Sequence, residues 1–113
     1  DIAQHTALIH RDMPETFTDW RRAAGLPGLT PAAVDQFDSG TLMLEATAQG
    51  LGVAFMLEAH VDRARDPRLV TLFDMAVDST YSHWFVCRPR MIVQRPVRLF
   101  HDWLVEALGA DAV

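Results

Sequence analysis

Short apolar runs and amphipathic stretches alternate along the chain, and that alternation predicts an α/β fold. Thr6 to His10 (TALIH) is a short apolar run of strand length and reads as a buried strand. Pro14-Glu15-Thr16 opens a helix in which Phe17, Trp20 and Ala24 lie near one face, and Gly25 stops it. Aromatics tend to be buried, so Trp20 is expected in the core. Gly25 to Pro31 (GLPGLTP) is dense in turn residues and reads as a loop. Ala32 to Phe37 is a weaker strand. Leu42 to Gln49 is a helix whose Met43 and Ala46, followed by Gly50, form a stripe suited to close packing on a sheet. Gly50 sits where a left-handed helix cap belongs. Val53 to Leu57 (VAFML) is apolar throughout, as a strand covered on both faces is. A strand–helix–strand crossover of this kind makes its two strands parallel.

Beyond it, Glu58 to Arg65 is a short helix, Val70 to Phe73 a short strand and Asp74 to Ser79 a polar loop. Thr80 to Cys87 has the strongest β propensity in the chain, through Tyr81, Trp84, Phe85 and Val86. Arg88 to Gln94 connects to a last helix that starts at Pro96. Val97, Phe100, Trp103, Leu104, Ala107 and Leu108 give that helix one apolar stripe, and Gly109 is expected to close it.

Composition narrows the chemistry. The chain has 113 residues, enough for one domain, and is half hydrophobic, which predicts a packed core. A net charge of −5 argues against a general nucleic-acid surface. Cys87 is the single cysteine, so an intramolecular disulfide and a cysteine zinc site are excluded. It reads as a small buried apolar residue. No apolar run reaches the about 20 residues of a membrane span. The chain begins Asp1-Ile2-Ala3-Gln4-His5, with no basic segment and no Met, which predicts an excised piece of a longer protein.

Enzyme and cofactor signatures are missing. There is no GxSxG elbow and no P-loop. Gly50-Leu51-Gly52 precedes a strand, whereas a phosphate-cradling loop follows one, so these glycines serve packing. The five histidines are scattered without ligand spacing, and neither a metal nor a cofactor is expected. His60 reads as part of an ordinary charged helix with Asp62, Arg63 and Arg65. Ser39, His101 and Asp102 could be drawn as a triad, but adjacent His and Asp on a helix are expected to point apart.

One constellation remains. Phe37-Asp38-Ser39-Gly40-Thr41 joins a strand to a helix, where ligands of open α/β sheets bind. Asp38 or Ser39 can cap the helix. The other free N–H groups favour an anion, Gly40 admits a close approach, and the Ser39 and Thr41 hydroxyls can donate or accept. The charge of Asp38 opposes an anion unless it points away. From these residues alone, capping and ligand contact are equally open.

Several segments together resemble a known family. FDSGTLMLEATAQGLGVAFM, RLVTLF, YSHWFVCRP and RPVRLFHDWLVEAL follow the order and spacing of the C-terminal part of the effector-binding domain of LysR-type transcriptional regulators. TALIHRDMPETFTDWRRAAG resembles the branch that holds the glycine-cleavage activator and the regulator of inducible β-lactamase. The resemblance implies a periplasmic-binding-protein-like α/β domain with a small effector between two lobes. Residues 1–80 would be mainly the second lobe. Residues 81–113 would hold the return strand through the hinge and a terminal helix packing on the first lobe. Much of that first lobe, and a DNA-binding helix-turn-helix, would lie outside this chain. Effector contacts would come from Phe37, Asp38, Ser39, Gly40 and Thr41, with Tyr81 and His83 from the hinge. Gly40 departs from the family, where another polar residue is frequent, and Thr47 replaces the second Ala of a common pair. The implied protein is cytoplasmic, homo-oligomeric and non-enzymatic, touches no membrane, and meets DNA only through the missing segment. Its effector would be carboxylate or amino-acid-like. A solute-binding module of the same fold and a Ser39-dependent enzyme are the alternatives.

Overall fold

The computed structural model describes residues 1–112, with side chains through residue 109. They form two compact units, Asp1–Tyr81 and a second that begins at Ser82.

The first unit is built on a parallel sheet of β1 (Thr6–His10), β2 (Ala33–Phe37) and β3 (Val53–Phe55), in the order β2-β1-β3. The central strand alternates its burial between two faces. Ala7 and Ile9 pack with Phe17 of α1 (Glu15–Ala23), with Phe55 and with Ile2. Leu8 points the other way, onto Met43 and Ala46 of α2 (Gly40–Ala48). Right-handed crossovers require this arrangement. The chain steps from β1 to β2 in one direction and from β2 past β1 to β3 in the other, so α1 and α2 must cover opposite faces. The expected apolar run at β3 is covered on both faces for the same reason, with Val53 and Phe55 on one side and Ala54 on the other. Trp20 packs half-buried at the edge of the α1 layer, its ring 5.4 Å from Phe55 and 5.3 Å from Phe73.

Two glycines fix the α2–β3 join. Gly50 has φ +79°, the left-handed cap read from the sequence. Gly52 lies against the central strand, where a Cβ would stand 2.5 Å from the Thr6 carbonyl oxygen and 3.0 Å from Leu8. β2 is an edge strand, exposed except at Phe37.

Four expectations for the second half are corrected. Val70–Phe73 and Thr80–Cys87 form no strand. Strand propensity needs a neighbouring backbone to bond with, and neither segment finds one among the described residues. Trp84 and Val86 are instead 82% and 85% exposed. Cys87 is half-buried, not buried. Gly109 does not end the last helix, because α4 runs from Arg95 to Ala112. A lone glycine costs a helix only about 1 kcal/mol, and α4 continues past it to Ala112. α3 (Glu58–Ala64) matches its prediction to within a residue and ends at Arg65 with φ +48°.

Candidate functional site

The site grows from the carboxyl ends of β1 and β3. The connection after β1 leads away to the edge strand β2, and residues at and just beyond the ends of β1 and β3 line a crevice there. His10 ends β1 and Phe55 ends β3. Met56 and Leu57, expected to prolong β3, leave the ladder and turn into the crevice wall. Met13 follows β1, and Gly40 and Met43 arrive on α2. The result is a small cup of about 80 Å³ with a mainly apolar lining. Thr16, whose hydroxyl donates to the Met13 carbonyl at 2.9 Å, lies at its wall.

Of the turn read from the sequence, Gly40 lines the cup. Ser39 is the N-cap of α2, and its Oγ accepts from the Leu42 N–H at 3.4 Å. A hydroxyl that accepts one bond keeps its own proton to donate. Helix formation begins at Gly40, two residues earlier than expected, because this cap is in place. Gly40 touches the cup, and Thr41 lines a broader open depression of about 500 Å³ alongside. Asp38 faces outward, its carboxylate 3.8 Å from the Arg11 guanidinium, with both side chains exposed. Its charge is thus partly countered. The Arg11 N–H donates to the Phe37 carbonyl at 2.7 Å, which ties the loops after β1 and β2 together.

Two further predicted contacts come later in the chain. Tyr81 belongs to the first unit, and its hydroxyl bonds the Glu15 carboxylate in the first turn of α1. It makes no hydrogen bond with Phe37–Thr41. His83 is exposed and lies in the second unit.

Sequence reasoning missed two imidazoles. His10 lies in the cup wall, with its Nδ1 accepting the Asp12 N–H at 3.1 Å, so its Nε2 carries the proton in the neutral ring. His60 comes from α3, where it was assigned to an ordinary charged surface. Its Nδ1 stands 3.6 Å from where a Gly40 Cβ would be, and it borders both the cup and the open depression. The strand-end rule would have found His10, which closes β1, whereas His60 lies on α3 and only the fold brings it to Gly40.

Beside the open depression, Arg68 clamps Glu45 at 3.0 Å and Asp66 at 2.7 Å. The Arg68 hydrogen bonds hold both carboxyls below their ordinary range, with Gln49 assisting at Glu45. In the second unit, His101 Nδ1 lies 3.1 Å from Asp102 Oδ1, so these neighbours meet, contrary to the expectation that they point apart. Both side chains are solvent-accessible there. No three His, Cys, Asp or Glu side chains among the described residues gather as metal ligands would. No helix among them is long and apolar enough to cross a membrane.

The model of the LysR substrate binding domain matches residues 1–109. The chain belongs to the LysR substrate-binding family. Its α/β fold is accordingly of the periplasmic-binding-protein-like class. Among curated proteins it is similar to the HTH-type transcriptional activator AmpR of Pseudomonas aeruginosa, at 30% identity over 113 residues. The match covers 99% of this chain and 38% of AmpR, so the LysR-family chain described here spans well under half the length of that relative. No solved structure matches it.

Proposed function

We propose that this chain is the effector-sensing part of a LysR-type DNA-binding transcriptional regulator. The observation that carries the reading is the cup between the ends of β1 and β3, set beside the Ser39-capped start of α2. A ligand there meets an apolar wall on one side and hydroxyl and N–H donors on the other, the usual composition of a small-molecule site. Phe37, Asp38, Ser39, Gly40 and Thr41 are the proposed contacts, with Tyr81 and His83 contributed by the segment that leaves the first unit. A small carboxylate or amino-acid-like effector suits the N–H groups of the first turn.

In this reading residues 1–80 form mainly the second lobe of a two-lobed domain. Residues 81–113 carry the segment and helix that meet the first lobe. The regulator is a cytoplasmic homo-oligomer that contacts DNA through a segment outside this chain. Effector binding favours one arrangement of the lobes and so shifts the population of regulator states on DNA. The role is regulatory and not enzymatic, which the family supports, as does the use of Ser39 as a helix cap.

A thermal-shift screen of the full-length protein against small carboxylates and amino acids tests the reading. A true effector raises the melting temperature as binding linkage requires. A flat response across both classes contradicts it.

A further inference from the structure

The cup and the open depression share only Gly40 and His60 in their linings. His60 therefore stands as a partition between a tight apolar space and a broad polar one. The tight space has room for little. An apolar cavity of about 150 Å³ admits a benzene ring. The cup, at about 80 Å³, is roughly half of that and takes about three carbon atoms on the same scale. Met13, Met43 and Met56 all reach it. Met43 is 1% exposed and cannot move outward. The imidazole of His60, on the exposed short helix α3, is the one partition that could be cut back without opening the core.

Resting on the effector-sensing reading, we propose that the cup receives a compact aliphatic end of the effector, and that His60 sets its size limit. The absence of a side chain at Gly40 is part of the device. A Cβ there would meet His60 Nδ1 at 3.6 Å and Met56 Cε at 3.9 Å, ordinary contacts that would narrow the mouth without strain. A branched three-carbon group fits beneath, while its polar head stays at the rim with Ser39 and Thr41. An aromatic ring is refused.

The test uses methyl-labelled methionine in the full-length protein, with isobutyramide and benzamide as probes. Isobutyramide carries a three-carbon branched end, and benzamide carries a ring on the same head group. Isobutyramide is expected to move the Met13, Met43 and Met56 methyl signals saturably and to leave Met75 and Met91 in place. Benzamide is expected to move none of the three. Gly40→Ala should weaken isobutyramide about tenfold or more, the usual effect of one methyl group in an apolar pocket. His60→Ala should let benzamide bind at least as tightly as isobutyramide, and His60→Gln, which keeps the bulk, should restore the refusal. Equal wild-type shifts with both probes, or no shift at the three methionines, overturn the proposal. Unchanged discrimination in His60→Ala removes His60 as the determinant. The parent reading fails separately: if an effector found by thermal shift binds Ser39→Ala and Thr41→Ala as it binds the wild type, the rim is not its site, whatever the methyl spectra show.

Discussion

Single residues divide by whether their role depends on chain neighbours or on distant ones. Gly50 takes its left-handed φ to end α2, a local need that the pattern before it announces. Gly52 two residues later answers to the Thr6 carbonyl, 46 positions away in sequence, and nothing nearby reveals it. Gly52→Ala must push the backbone of β3 from β1 and should cost roughly 1–3 kcal/mol. Gly50→Ala should cost about 1–2 kcal/mol through the left-handed conformation alone. Urea denaturation midpoints check both, and a neutral Gly52→Ala would contradict the packing described. Ser39→Ala should cost about 1 kcal/mol as a lost cap, measured the same way. His60 belongs with Gly52: its neighbours Glu58, Asp62 and Arg63 make it look like surface, and only the fold brings it against Gly40.

At the scale of elements, the three strands and the helices between them were legible because each satisfies its own periodicity and punctuation. β1 and β3 are apolar on both faces, and Ser39 and Gly50 mark the ends of α2. The segment from Val70 to Cys87 was not legible. Its β-forming residues describe a preference, but a strand needs a partner, and the sequence of one segment cannot say whether a partner exists. The clamp on α2 was likewise hidden, since Arg68 comes from the turn beyond α3, far along the chain from Glu45. Its pH dependence has a definite sign. Glu45 and Asp66 are held below their ordinary values of 4.5 and 3.8. The stability they contribute is therefore present above those values and is lost as pH falls through the depressed ones. Carboxyl NMR titration should find both groups low in the wild type, and Arg68→Gln should return both upward. The side chains are exposed, so salt should weaken the effect. Titration of either group at its ordinary value in the wild type would contradict the clamp.

At the scale of the molecule, α4 carries a stripe that its own unit leaves open, with Phe100 53% and Trp103 61% exposed. Exposed apolar surface of this kind drives association. Light scattering of this chain should show a mass that rises with concentration, and Trp103→Asp should reduce the rise. A monomer at all concentrations would contradict that expectation. The family was legible from order and spacing across nearly the whole chain, whereas the floor of the site was not, because it is assembled from β1, α2, β3 and α3 only after folding. The central claim is that a small effector binds at the start of α2. The most direct test is the effector's dissociation constant, measured by calorimetry on the full-length protein and on Thr41→Ala, which spares the Ser39 cap. Loss of a hydroxyl contact to a charged effector group predicts binding weakened about tenfold or more. A dissociation constant unchanged in Thr41→Ala and in Ser39→Ala would contradict the claim.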